Sequence, residues 1–379
     1  MSRKVFLLAG EISGDKLGAE LMEALAALKA DTQFSGMGGA MMAQKGLDSS
    51  EDISQLSIMG ISEVISAYSR LHSLADRLVS QVMTLKPDVI FTIDSKAFSV
   101  RFAKKLKVEM KRQNWSAPII HMVAPTIWAW GRWRRHAFEA SFDGLLCLFP
   151  FEPELFNNTK LQAHFIGHPT GFAKRATTDK REAKLIGMVP GSRRSEIRYI
   201  LPDMLDAAER IIAQEPKTRF ILPALPHLVE IIRSEAKARA LPIEIISDKD
   251  AMHAVFTRAS ACMAASGTVT LELALNAMPA ITCYKVNRLN YAFMRGLYRL
   301  KDPILPHILL GREIYPYFEQ HRQTGATLSD AMQNIMDHLP AEEAKLATAS
   351  EQLTQILTGR EPTFQMQLQS ALKPLLVNV

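Results

Sequence analysis

The chain has three cysteines in 379 residues, Cys147, Cys262 and Cys283. They stand in apolar surroundings with no paired spacing, which argues against a disulfide framework or a metal site and for a reducing compartment, read here as the cytosol. There is no run of about 18 consecutive apolar residues, so no membrane-spanning helix is expected. The opening Met1-Ser2-Arg3-Lys4, followed by Val5-Phe6-Leu7-Leu8-Ala9, imitates a signal peptide. Glu11 and Asp15 arrive before an apolar core of sufficient length has formed. Two nucleotide motifs are also missing. Without a Gly-x-x-x-x-Gly-Lys-Ser/Thr loop ATP hydrolysis is disfavoured, and without a Gly-x-Gly-x-x-Gly after a strand and its acidic partner so is a dinucleotide oxidoreductase.

What is present begins with size. At 47% hydrophobic residues the chain is long enough for two domains, each with its own core. A net charge of +6 and a pI near 9.1 suit anionic partners: nucleotides, nucleic acid or a phospholipid surface. Charge alone does not choose among them.

Strand, turn and helix alternate along the first half. Residues 5–9 read as a buried strand, Gly10-Glu11-Ile12-Ser13-Gly14-Asp15 as a tight polar loop, and residues 16–29 as a helix with Leu17, Leu21, Leu25 and Leu28 on one face. The glycines then lie at the strand's carboxyl end, where α/β sheets take ligands, although a plain capped turn gives the same pattern. Phe34-Ser35-Gly36-Met37-Gly38-Gly39 repeats the design. Residues 87–94 are almost wholly apolar, as parallel strands buried on both faces are. Asp94, the last of them, is either a crevice carboxylate or the N-cap of the next helix. Strands at 118–123 and 144–151 follow, and between them Trp128, Trp130 and Trp133 stand among three arginines. That segment suits stacking on single-stranded nucleic acid or a sugar and acyl-chain site; no accompanying nucleic-acid motif supports the former. Ile61, Val64, Ile65, Tyr68, Leu71, Leu74 and Leu78 recur at helical spacing with Arg70, His72 and Arg77 among them. This is either a helix packed on a core or an interfacial helix facing anionic lipid.

The second half is organised around Met188-Val189-Pro190-Gly191-Ser192-Arg193-Arg194-Ser195. Residues 184–189 form a short buried strand, and from Ser195 the apolar positions Ile197, Ile200, Leu201 and Leu205 repeat at helical spacing. The turn between them is a helix N-terminus whose N–H groups and dipole favour an anion, with forked donors from Arg193 and Arg194; a capped helix with two solvated arginines is the other reading. Strands are expected at 219–222, 243–246, 261–264 and 280–284, no such pattern continues beyond about residue 320, and residues 341–376 read as helix. Ser266-Gly267-Thr268 makes a second anion turn, and Glu272, one turn into the next helix, is placed to accept from a ribose diol. Two such turns with a diol acceptor describe a nucleoside-diphosphate site. Two parallel α/β halves joined near residue 168 follow from the alternation.

Seven segments recur in one order: Gly10-Glu11-Ile12-Ser13-Gly14-Asp15, Met59-Gly60-Ile61-Ser62-Glu63-Val64, Val123-Ala124-Pro125-Thr126-Ile127-Trp128-Ala129-Trp130, Phe165-Ile166-Gly167-His168, Pro190-Gly191-Ser192-Arg193, Ala265-Ser266-Gly267-Thr268 and Leu310-Gly311-Arg312-Glu313. As an ordered set spanning nearly the whole chain they resemble the lipid-A-disaccharide synthase family. The resemblance implies an α/β protein of GT-B type, two Rossmann-like parallel-sheet domains facing a central cleft. Residues 1–168 would bind the acceptor, 169–340 the UDP-sugar, and the helical tail 341–379 would pack back on the first domain or on a partner subunit, making a homodimer possible. It implies an inverting, metal-independent transfer without a cofactor, joining UDP-2,3-diacylglucosamine to 2,3-diacylglucosamine 1-phosphate in lipid A biosynthesis. The products would be UDP and a β-1′,6-linked disaccharide, made at the inner face of the inner membrane by a peripherally bound cytoplasmic enzyme.

The same resemblance assigns roles. Asp94 would be the general base. Gly191, Ser192, Arg193, Ser266, Gly267, Thr268, Glu272, His307, Gly311, Arg312 and Glu313 would hold the UDP donor, and Gly10, Glu11, Ser13, Gly14, Asp15 and Trp128 the acceptor. Val64, Ile65, Tyr68 and Leu71 would meet the phospholipid surface. No metal and no nucleic acid is implied. The chain departs from the family pattern at three places: Ile93-Asp94-Ser95-Lys96-Ala97-Phe98 keeps only the first of two aspartates, His307 stands where an amide is usual, and Ser62 and His72 occupy positions that are usually apolar. Two rivals remain, another GT-B nucleotide-sugar enzyme with a soluble acceptor, such as a relative of UDP-N-acetylglucosamine 2-epimerase, and a non-enzymatic basic protein binding nucleic acid or anionic lipid through residues 128–135.

Overall fold

The computed structural model describes residues 2–56, 63–177, 181–248, 250–287, 291 and 303–377, and at 63–68 the backbone only. Among them are two units. One comprises Met1–Phe172 with Leu357–Val379, the other Ala173–Ile356.

The first unit is built on β1 (Arg3–Ala9), β2 (Thr32–Gly38), β3 (Asp48–Asp52), β4 (Val89–Ile93), β5 (Ile119–Met122), β6 (Gly144–Cys147) and β7 (Gln162–Phe165). They form a sheet in the order β3-β2-β1-β4-β5-β6-β7, with parallel pairing throughout. The chain starts in the middle, walks to one edge, returns beside β1 at β4 and walks to the other edge. Side chains alternate across the sheet as strand geometry requires. Phe6 and Leu8 of β1 enter a core with Phe102 and Leu106 of the helix Lys96–Arg112. Val5, Leu7 and Ala9 enter a second core with Leu21 and Leu25 of the helix Ile12–Leu28.

The second unit repeats the plan with β8 (Glu182–Val189), β9 (Arg219–Pro223), β10 (Ile243–Ile246), β11 (Ala259–Ala265), β12 (Ala280–Tyr284) and β13 (Tyr317–Glu319). The order is β10-β9-β8-β11-β12-β13, again parallel. Its core includes Ile200, Leu201 and Leu205 of the helix Arg194–Gln214, on the face expected from their spacing.

Three features differ from expectation. The tail is two helices, Leu339–Thr358 and Phe364–Leu375, separated at Gly359, whose φ is +73°. The longer one belongs to the second unit as far as residue 356. There Ser350 Oγ donates to the Leu275 carbonyl at 2.6 Å, and the Arg181 guanidinium pairs with Glu343 at 3.1 Å. The shorter one buries Phe364, Leu368 and Leu372 in the first unit's core, so only the end of the tail returns to that unit. The helix after β1 starts at Ile12 rather than Lys16, because the Asp15 N–H already donates to the Glu11 carbonyl at 2.9 Å. Strands β3, β7 and β13 were not expected: they are polar or short edge segments without an apolar run. Among the described residues no helix is long and apolar enough to cross a membrane.

Candidate active site

In the second unit the strand order reverses between β8 and β11, and the crevice outside their carboxyl ends is where such sheets take ligands. A cavity of about 660 Å³ opens there. Gly191, Ser192 and Arg193 from the turn after β8 line it, as do Ser266, Gly267 and Thr268 from the turn after β11, with Glu272 from the helix Val269–Leu275. Two turns expected separately from the sequence thus share one cavity. A Cβ on Gly267 would meet nothing within 4 Å, so this residue borders open space.

The amides of the first turn are not open. The Glu196 carboxylate accepts from the Ser192 N–H at 2.8 Å and the Arg193 N–H at 3.1 Å, and the Arg193 guanidinium pairs with it at 3.2 Å. This is a capping box closed by the chain itself, and it corrects the expectation that these N–H groups point outward for an anion. Gly191 has φ +113°, and a side chain on it would run into that carboxylate. The Arg193 side chain remains largely exposed at the cavity.

His307, Gly311, Arg312 and Glu313 do not line the cavity. His307 is 5% exposed, and its Nε2 accepts from the Tyr315 N–H at 3.0 Å. That bond ties it to the chain eight residues on. Gly311 ends the helix Leu305–Leu310 with φ +67°, the Arg312 guanidinium donates to Gln352 at 2.8 Å, and Glu313 is exposed. The remaining wall was not anticipated: Pro223, Ala224 and Leu225 after β9, Asp248, Ala251 and Met252, and Tyr284 at the end of β12. The expected strands 219–222 and 280–284 already pointed to these carboxyl ends. The wall is apolar enough for a base to lie against it, with Leu225 45% exposed.

In the first unit the order reverses between β1 and β4, so the Gly10 loop and Asp94 meet at the equivalent crevice. Asp94 and Ser95 both hold left-handed backbone, φ +52° and +39°, and Val123 after the adjacent β5 has φ +83°. For a β-branched residue this is an outlier, and such strain clusters at functional sites. A Cβ on Gly10 would collide with the Ser95 side chain, so only glycine lets the two loops close together. The Asp94 Oδ1 pairs with the Lys96 ammonium at 2.6 Å.

Glu11 and Ser13 are exposed at the start of the helix Ile12–Leu28, and Gly14 is buried one turn in. Asp15 turns inward. It is 5% exposed, and its carboxylate accepts from the N–H groups of Gly39, Met41 and Met42 at 2.8, 2.9 and 3.1 Å. It holds the glycine turn after β2 in place, which corrects its assignment to a ligand. The side chains of Val64, Ile65 and Tyr68 and all of Ser62 lie outside the described residues. Leu71 is partly buried and packs against the core.

Around this crevice lie groups that sequence reasoning passed over. Glu152, after β6, is 2% exposed. Its Oε2 accepts from the Leu148 and Phe149 N–H groups, each at 3.1 Å. Burial pushes its carboxyl from the ordinary 4.5 up to about 7, against the opposing pull of those N–H groups, the Trp128 indole N–H and the Lys96 charge. That indole N–H has no partner in strict hydrogen-bond geometry, yet it lies close enough to be felt. Half-buried Trp128 stands edge-on to Phe151, with ring centroids 5.5 Å apart. His121 is fully buried and held down to about 3, mainly by burial and then by the Lys96 charge; its Nδ1 lies 2.7 Å from the Thr92 hydroxyl. Cys147 here, and Cys262 and Cys283 on β11 and β12 of the second unit, are buried free thiols, all pushed up by burial.

The lipid-A-disaccharide synthetase family matches residues 5–370. The lipid-A-disaccharide synthase of Rhodospirillum centenum is 32% identical over 359 residues, 92% of this chain and 88% of that protein. That of Neisseria meningitidis serogroup B is 32% identical over 344 residues, 87% of each. Among solved structures, a UDP-GlcNAc 2-epimerase from Neisseria meningitidis, bound to UDP-GlcNAc, superposes with a TM-score of 0.59 at 10% identity, covering 99% of this chain and all of that one. A calicheamicin glycosyltransferase does so at 0.58 and 12%, covering 100% and 99%. At such identities the likeness concerns the fold alone, two Rossmann-like parallel-sheet units of GT-B type. The match over almost the full length decides the family: the chain belongs to the lipid-A-disaccharide synthetase family of glycosyltransferases.

Proposed function

We propose that the chain transfers the sugar of UDP-2,3-diacylglucosamine to the 6-hydroxyl of 2,3-diacylglucosamine 1-phosphate, with inversion and release of UDP. The observation that carries the reading is the second unit's cavity, where Arg193, the Ser266-Gly267-Thr268 turn and Glu272 stand opposite an apolar wall at the sheet's switch point. In this reading Asp94 takes the proton of the acceptor hydroxyl as its oxygen bonds to the anomeric carbon, and the bond from that carbon to the diphosphate breaks. Charge developing on the leaving diphosphate is met by the Arg193 guanidinium and the Ser266–Thr268 turn, while Glu272 accepts from the ribose diol. The acceptor lies against Gly10, Glu11, Ser13, Gly14 and Trp128. Both substrates carry acyl chains, so the chain meets them at a phospholipid surface, the inner face of the inner membrane.

The test is turnover of the two acylated sugars in detergent with EDTA present, following UDP release and product mass. A disaccharide phosphate of the right mass is expected. UDP release without it, or equal turnover of an unacylated acceptor, overturns the assignment of the acceptor. Asp94→Asn is expected to lose turnover while keeping UDP affinity, and normal turnover in that variant removes Asp94 as the base.

A further inference from the structure

Glu152 is a buried carboxylate that the reaction above does not use. It lies at the carboxyl end of β6, two strands from Asp94 at the end of β4. One of its oxygens is committed to the Leu148 and Phe149 N–H groups. Its surroundings join it to both halves of the crevice. The Trp128 indole N–H lies near it without closing a hydrogen bond, and Lys96, ion-paired with Asp94 at 2.6 Å, acts on it through its charge. Phe149 and Phe151 stack almost parallel at 5.8 Å. Phe151 meets Trp128 edge-on, and His168 stacks on Phe149 at 5.4 Å. Chain residues 148–152 thus form a braced turn behind Trp128, with Glu152 at its centre.

We propose that Glu152 is a positioning residue for the acceptor side of the transfer: its carboxylate holds the 148–152 turn whose Phe151 abuts Trp128, and its negative charge acts on the Lys96 ammonium paired with Asp94, fixing the geometry of the base. The proposal rests on the reading of Asp94 and Trp128 given above. It sets a protonation requirement. Ionised Glu152 attracts both the Trp128 N–H and Lys96, and protonation removes that attraction, so turnover rises as the carboxyl ionises around pH 7. The titratable neighbours do not compete in that range. His121 and His168 are kept neutral by burial, at about 3 and about 4, and the Cys147 thiol is pushed well up, by burial and then by Glu152 itself.

The experiment compares native protein with Glu152→Gln, which keeps the shape and loses the charge, and with Glu152→Asp, which keeps the charge and shortens the reach. It measures kcat and KM for each substrate from pH 5.5 to 9, with UDP affinity and thermal unfolding as controls. Glu152→Gln is expected to lower kcat about 10- to 100-fold at pH 8, the scale on which small misplacements near a reacting centre act. It is also expected to abolish the limb near pH 7 while leaving UDP affinity and fold intact. Glu152→Asp is expected to recover part of kcat together with the limb. A Glu152→Gln protein with native kcat, or one whose lowered kcat retains the limb near pH 7, overturns the proposal, the latter because the limb then belongs to another group. Absence of turnover in the native protein overturns instead the functional reading on which the proposal rests.

Discussion

Replacing Glu152 by glutamine stabilises the first unit at pH 8 by more than it does at pH 4.5. The reason is linkage. In the unfolded chain this carboxyl loses its proton near 4.5 and in the folded chain near 7. Between those values the unfolded state binds fewer protons, so stability falls as pH rises through the window. At about 1.4 kcal/mol for each tenfold change in proton affinity, the loss across the window is roughly 3 kcal/mol. The histidines act with the opposite sign. His121 and His168 are held at about 3 and about 4, so below about 6.5 the unfolded chain takes up protons the folded chain refuses, and stability falls with falling pH. The curve of the native protein therefore passes through a maximum, and the difference between native and Glu152→Gln cancels the histidines and isolates the carboxylate. Urea unfolding followed by tryptophan fluorescence reads this unit alone, because Trp115, Trp128, Trp130 and Trp133 all lie in it. The difference is expected to grow by roughly 3 kcal/mol from pH 4.5 to pH 8, with its midpoint between, and to level off above. A difference that stays constant across that range refutes the assignment of a titrating, buried carboxyl to Glu152.

Other outcomes follow from the same structure. Leu368→Ala, in a fully buried side chain of the last helix, should destabilise the tryptophan-detected transition by about 2–5 kcal/mol; calorimetric titration should find UDP affinity unchanged. Gly267→Ala meets no neighbouring atom, so its unfolding midpoint should match the native one while the added methyl lowers UDP affinity by about 10-fold. Native affinity there would mean the nucleotide lies elsewhere. Glu196→Gln removes a negative charge from the turn and loosens its hold on Arg193, so UDP should bind about 5-fold tighter at low salt and the gain should shrink as salt rises. Weaker binding in that variant would give the carboxylate a supporting role at the cavity.

Much of the scaffold is written in runs of apolar residues. β1, β4, β5, β8 and β11 are buried on both faces, and their sequences carry that as near-continuous hydrophobicity. The glycine turns after β8 and β11 were legible because Pro-Gly and Ser-Gly-Thr interrupt those runs. Edge strands were not: β3 reads Asp-Ser-Ser-Glu-Asp and has no buried residue to mark it. At the site, what could not be read was which partner each polar group would choose. Glu196 four residues after Ser192 fits a capping box as readily as a free surface carboxylate, and only the fold decides that it closes on the turn. Asp15 looked like part of an exposed loop until the glycine turn after β2 came to lie across it. Glu152 hid between Pro150 and Pro153, residues that read simply as the end of a strand. Its importance comes from burial, which no local pattern encodes.

The first unit is discontinuous, and this gives the chain an order of assembly on the ribosome. Residues 1–172 emerge first, but the core that receives Phe364, Leu368 and Leu372 cannot close until the last helix has been made. At synthesis rates of 5–20 residues per second, the stretch from Phe172 to Phe364 takes roughly 10–40 s. During that interval the helix Ile12–Leu28 covers only part of one face of the first sheet, and the part filled by Phe364, Leu368 and Leu372 waits uncovered. The second unit, encoded within the interruption, is complete at Ile356, before the helix Phe364–Leu375 that the first unit still needs. The part of the protein that starts last therefore has the means to finish first, and the nascent first unit is the one with reason to engage a chaperone.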